Sequence, residues 1–126
     1  MTILEALAIL EAAVLESKKR NVNTPEVKEA LDSLERYVWP KWLIPQFRHH
    51  ALNDWTDNHV DHEVQQDVLR ATFPGIRDAV RELLGVRADA LARKFATTHD
   101  MQVRDELVRL LKEYSKLAVP WMFVVI

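Results

Sequence analysis

Apolar residues recur along this chain at intervals of three and four, the spacing that lines one face of an α-helix, rather than in the two-residue alternation of a half-buried strand. Ile3, Leu7, Leu10 and Val14 form a first stripe, and Leu4, Ala8 and Leu15 widen it until little polar face is left. That predicts a helix that is central or covered on two sides. Asn21 to Thr24 break it. Thr24 is placed to N-cap the next helix, with Pro25 at its first position, where the missing N–H has no partner to lose. Val27, Leu31, Leu34 and Val38 supply the buried stripe that follows.

The segment WPKWLIPQF then puts prolines at 40 and 45, too close for an unbroken helix, and loads the corner with Trp39, Trp42 and Phe47. A corner this aromatic is expected to plug one end of a core. A short helix from about Pro45 to Trp55 is predicted next, with Phe47, Ala51 and Trp55 inward. Thr56 or Asp57 is expected to cap a helix that runs to about Thr72, and Phe73-Pro74-Gly75 to separate it from one marked by Ile76, Val80, Leu83 and Leu84. Gly85 reads as the stop of that helix, and Leu91 and Phe95 mark another from about Val86 to Thr98. After a junction at His99 and Asp100, the cleanest stripe of the chain, Val103, Leu107, Leu110, Tyr114 and Leu117, runs up to Pro120. The pattern predicts an all-α chain, one domain of roughly six to seven helices in an irregular bundle.

Composition narrows the class without choosing a function. The 126 residues are 48% hydrophobic and 29% charged with a formal net charge of −2, which excludes both a disordered chain and a strongly basic nucleic-acid binder. There is no cysteine, so neither a disulfide framework nor thiolate chemistry is available. Met1 to Glu16 carries Glu5, Glu11 and Glu16 and no Lys or Arg, unlike a signal peptide, and together these features lead us to expect a cytoplasmic protein. Leu117 to Ile126 is apolar, but it is short and interrupted by Pro120, against about 20 residues for a membrane-spanning helix.

Chemistry-bearing residues concentrate in RHHALNDWTDNHVDHEV, Arg48 to Val64, which holds four of the five histidines. His59 and His62 stand three apart, His59 and Glu63 four apart, and His50 and Asp54 four apart, spacings that bring imidazole and carboxylate onto one helix face. His50, Asp54, His59, His62 and Glu63 are therefore candidate ligands for zinc or iron. The His-x-x-x-Glu element resembles one fragment of the ligand set of hemerythrin-like bundles. On a helix, however, His62, Glu63, Gln66 and Arg70 fall within about 60° of His59, while Val60, Val64, Val68 and Ala71 lie ~100–180° away. The histidine face is thus expected to look away from the apolar one. His50, beside Phe47 and one turn before Asp54, is the exception, an imidazole that a carboxylate could orient for acid–base work.

VRELLGVRADALARKF, Val80 to Phe95, carries a Leu-Gly-Val turn followed by Leu-x-Arg-Lys. On Leu84, Gly85, Val86, Leu91, Arg93 and Lys94 it resembles the bihelical core of helix-turn-helix proteins of the Fis-like form. The resemblance implies a second helix in the major groove of DNA, with Arg87, Arg93 and Lys94 as phosphate or base contacts. The chain departs from that pattern at Arg81 and at Arg87-Ala88. Phe73 to His99 has a local charge of +2, five basic residues against three acidic ones, which is modest for a polyanion partner.

The functional expectation is a protein-interaction or homo-oligomerising module. It rests on four tryptophans, a broad apolar first helix and the uncharged stretch LAVPWMFVVI. Trp121, Met122, Phe123, Val124, Val125 and Ile126 are large and apolar, so they need cover, either from this chain's own core or from a second subunit in a homodimer.

Overall fold

In the computed structural model, residues 1–18, 21–53 and 61–118 are described, and among them the chain is all-α, with no strand. Five helices follow in order: α1 (Ile3–Glu16), α2 (Pro25–Leu34), α3 (Leu43–Ala51), α4 (His62–Thr98) and α5 (Met101–Ala118). None is long and apolar enough to cross a membrane. The chain divides into two units, Met1–Ala79 and Val80–Ile126, so that α4 contributes its first half to one and its second half to the other.

In the first unit α1 opens on a capping box: Thr2 Oγ1 accepts from the Glu5 N–H at 3.1 Å while the Glu5 carboxylate accepts from the Thr2 N–H at 3.3 Å. Its buried face is Ala6, Leu7, Leu10, Ala13 and Val14, with Ser17 closing the end. Ala8 and Leu15 are exposed, which corrects the expectation of a helix covered on two sides. The small residues Ala6 and Ala13 sit inward and let α2 approach closely. α2 begins as its sequence predicts, with Thr24 Oγ1 accepting from the Val27 N–H at 3.2 Å and Pro25 in the first turn. Val27, Ala30, Leu31 and Leu34 are buried, and so is Val38 beyond the helix end.

The Trp-Pro corner departs from expectation. Phe47 is fully buried, but Trp39 and Trp42 are 67% and 58% exposed, so only one of the three aromatics plugs the core. Between the two tryptophans, Lys41 turns back: its Nζ donates to the carbonyls of Glu35 and Arg36 at 3.3 Å and lies 4.7 Å from the centre of the Trp39 ring. Lys41 thus satisfies carbonyls left open just past the end of α2, and Trp39 is held on the outside by that contact. α3 packs against α2, with Arg48 reaching Asp32 at 2.7 Å, and Leu43, Ile44, Phe47 and Ala51 face inward. Asn23 ties the loop before α2 to the end of α3 by donating to the carbonyls of Leu52 and Asn53.

Where three helices are expected between residues 57 and 98, the structure has one, α4, of 37 residues. Asp61 caps it, its Oδ1 accepting from the Glu63 and Val64 N–H groups at 3.1 and 3.2 Å. Thr56 and Asp57, the caps expected from sequence, lie outside the described residues, as does Trp55. Pro74 sits inside the helix, where it removes the hydrogen bond its own N–H would have made and its ring crowds the Arg70 carbonyl, without ending the helix. Gly75 does not stop it either. A Cβ at Gly75 would stand 3.1 Å from both Leu43 methyls, so the glycine is where α3 approaches α4.

The buried stripe of this half is Gln65, Leu69, Thr72, Phe73, Ile76 and Arg77. Val64 and Ala71, on the face expected to point inward, are exposed. Leu69, Phe73 and Ile76 give this stripe its apolar part, and Gln65, Thr72 and Arg77 make the rest of it polar.

In the second unit α4 and α5 form a hairpin whose connection is His99 and Asp100. His99 takes a left-handed conformation, φ 52°, and its N–H returns to the Phe95 carbonyl at 2.8 Å, an arrangement that ends a helix without glycine. Asp100 Oδ1 then accepts from the Gln102 N–H at 2.8 Å and starts α5. Val80, Leu84 and Ala88 on α4, and Val103 and Leu117 on α5, are buried. Leu91, Phe95, Leu107, Leu110 and Tyr114 are only half-buried. Two helices alone cannot enclose a stripe of that width.

Candidate functional site

Two places carry chemistry worth building from the residues up, one in each unit. In the first, α3 ends with His49 and His50, and α4 begins with a polar turn. His50 Nδ1 pairs with Gln65 Oε1, and the two imidazoles meet edge to face with centroids 5.0 Å apart. An amide oxygen only accepts, so in this pairing the donor is the His50 ring. Gln65 is buried and His50 partly so. The next residue, Gln66, donates from Nε2 to the Ser17 carbonyl at 2.9 Å. Adjacent glutamines thus fasten α4 to the ends of α3 and α1, and the pairing of His50 is structural in character.

Of the sequence-predicted ligands, His50, His62 and Glu63 fall among the described residues, whereas Asp54 and His59 lie outside them. His62 and Glu63 are exposed in the first turn of α4, where the Glu63 carboxylate favours the positive end of the helix dipole. Among the described residues, no three His, Cys, Asp or Glu side chains come together to hold a metal ion. What holds His50 there is the Gln65 amide; the carboxylate expected to do so, Asp54, is not among the described residues.

The predicted DNA-contacting residues also separate. Val80 to Phe95 lies wholly inside α4, so the turn that a helix-turn-helix needs at Leu84-Gly85-Val86 is absent, and the bihelical reading is corrected. Gly85 continues the helix and faces the Tyr114 ring: a Cβ there would stand 3.3 Å from Cε2. Along one helix Arg87 and Lys94 share a face, while Arg93 points about 120° away from Arg87.

The second place is the α4–α5 hairpin. On one flank an open cleft of ≈ 600 Å³ is lined by Arg87, Ala90 and Leu91 of α4 and by Glu106, Arg109, Leu110 and Glu113 of α5. Its floor is apolar and its rim carries two positive and two negative side chains, a lining suited to an apolar side chain rather than to an ion. On the other flank of α5, Met101, Val108 and Leu111 are 52%, 43% and 47% exposed. Trp121 to Ile126, the contact surface expected from the sequence, lie outside the described residues. The row on α5 was missed, although its spacing of seven and three residues was a signal available in the sequence.

Comparison with protein-family models, with curated proteins and with solved structures finds no match to this chain.

Proposed function

We propose that this chain is a protein-interaction module that associates with itself, and that α5 carries the contact. The observation behind this reading is the row Met101, Val108 and Leu111, large apolar side chains about half exposed on one face of a well-formed helix. Scattered apolar side chains on a surface are ordinary, but here Val108 and Leu111 are neighbours on one helix face beside a half-buried stripe, with Met101 on the same face beyond Arg104. Covering such a face is favourable at roughly 25 cal/mol per Å² of apolar surface. The hairpin's unfinished core adds to the same drive.

Sedimentation velocity over a wide concentration range tests it. The parent should shift from monomer to dimer as concentration rises, and Val108→Glu with Leu111→Glu should stay monomeric while keeping its helical circular dichroism. A parent that remains monomeric at the highest concentration overturns the reading.

A further inference from the structure

We infer that the partner of this face is a second copy of the chain, bound with the two α5 helices antiparallel about a two-fold axis that passes between Arg109 and Leu110. The inference rests on the self-association reading and deepens it by fixing orientation and register. α5 has two rows. Val103, Leu107, Leu110, Tyr114 and Leu117 fall within an arc of about 80° that faces α4. Met101, Arg104, Val108, Leu111, Ser115 and Ala118 form a second row centred ~110° away, and every one of them is exposed. Their spacing alternates three and four without a break through the whole helix, which is the a/d seam of a coiled coil.

Charge then selects the orientation. In a parallel pair each seam residue meets itself, so Arg104 would face Arg104 in the core, and Asp100 would flank Asp105 of the other copy. Both contacts are repulsive. In the antiparallel pair Val108 meets Leu111 of the second copy, Arg104 meets Ser115 of the second copy, and Met101 meets Ala118 of the second copy, each contact occurring twice. The flanking positions fall into place in the same register. On the flank away from α4, Asp105 meets Lys112 of the second copy; on the flank towards α4, Leu107 meets Tyr114 of the second copy. Opposite charges sit on the side open to water, and apolar groups sit on the side where the two hairpins close on each other.

Arg104 holds Asp105 at 3.3 Å within one chain, so it remains paired through its own neighbour where it enters the seam opposite a hydroxyl. The Arg104–Ser115 contact recurs by symmetry, and the two polar layers it makes fix the register, as polar seam positions do in coiled coils. The symmetry is isologous, so the assembly closes as a dimer and does not grow into a filament.

The chain has no cysteine, so single cysteines report the register cleanly. Met101→Cys and Ala118→Cys are made separately in the full chain and oxidised alone or mixed. Antiparallel pairing brings residue 101 of one copy to residue 118 of the other, whereas two copies of residue 101 are about 25 Å apart along the seam at 1.5 Å per residue. Disulfides need Cα separations of roughly 4.4–6.8 Å. The mixture should cross-link at least about tenfold faster than either variant alone.

Charge reversal gives a second readout that needs no cysteine. Asp105→Lys should weaken dimerisation about tenfold, and adding Lys112→Asp should restore it. A dimer in which Met101→Cys or Ala118→Cys links to itself is parallel, and one that links in no combination uses another surface. Either result overturns the inference while leaving self-association standing. A chain monomeric at every concentration overturns both.

Discussion

Gly85 and Tyr114 face each other across the α4–α5 hairpin, equally far from its turn at His99 and Asp100, and a Cβ on the glycine would stand 3.3 Å from the ring. Gly75 occupies the equivalent role in the first unit, with a Cβ 3.1 Å from two Leu43 methyls. The neighbours differ in freedom: Tyr114 is half-buried, while Leu43 is buried.

Gly85→Ala should therefore be neutral or stabilising, because alanine gains about 1 kcal/mol of helix propensity and the ring can move a few tenths of an ångström. Gly75→Ala should cost about 1–3 kcal/mol, since the same gain is outweighed by overpacking against a fixed side chain. Urea denaturation of the two variants measures the difference. A more stable Gly75→Ala would show that α3 and α4 are not in close contact there.

The three aromatics of the corner should respond in opposite ways. Phe47→Ala should lose about 3–5 kcal/mol, as expected for emptying a fully buried ring site. Trp42→Ala should change stability by less than about 0.5 kcal/mol, and Trp39→Ala by up to about 1 kcal/mol, through its Lys41 contact. In a Trp55→Phe, Trp121→Phe background, which leaves Trp39 and Trp42 as the fluorophores, acrylamide quenching should reach both readily. Strong protection of either would contradict their exposure.

His50 and Gln65 should behave as a coupled pair. His50→Leu leaves the buried Gln65 amide without this partner and should cost about 1–3 kcal/mol. Gln65→Leu in the same background should recover part of that loss, because two apolar side chains leave no unsatisfied group. A double-mutant cycle by denaturation gives the coupling, and strictly additive effects would mean that the hydrogen bond contributes nothing.

The threonine caps offer a test that depends on local structure alone. Thr24→Ala removes the acceptor for the Val27 N–H and should cost about 1 kcal/mol, and Thr2→Ala, which breaks a capping box at an exposed end, should cost somewhat less. Thermal melts should rank them in that order.

The features legible along the chain are those whose cause is local. Thr24-Pro25 starts α2 because a hydroxyl one residue before a proline satisfies an N–H that the helix cannot. The all-α class follows from the three-and-four spacing. Met101, Val108 and Leu111 stand seven and three apart in the sequence, a spacing that by itself puts them on one face of α5.

The features that emerge only in the folded chain are those whose cause is distant in sequence. Gly75 and Gly85 read as punctuation, and a glycine in a sequence is ambiguous between a residue that ends a helix and one that lets a neighbour in. Leu43 and Tyr114, 32 and 29 residues away, resolve the ambiguity by occupying the space a Cβ would need. The inward face of α4 was hidden for a related reason: Gln65 is buried because His50 and the end of α3 are there to receive it. Burial of a polar group depends on its partner, and a partner brought in by the fold leaves no mark in the neighbouring sequence.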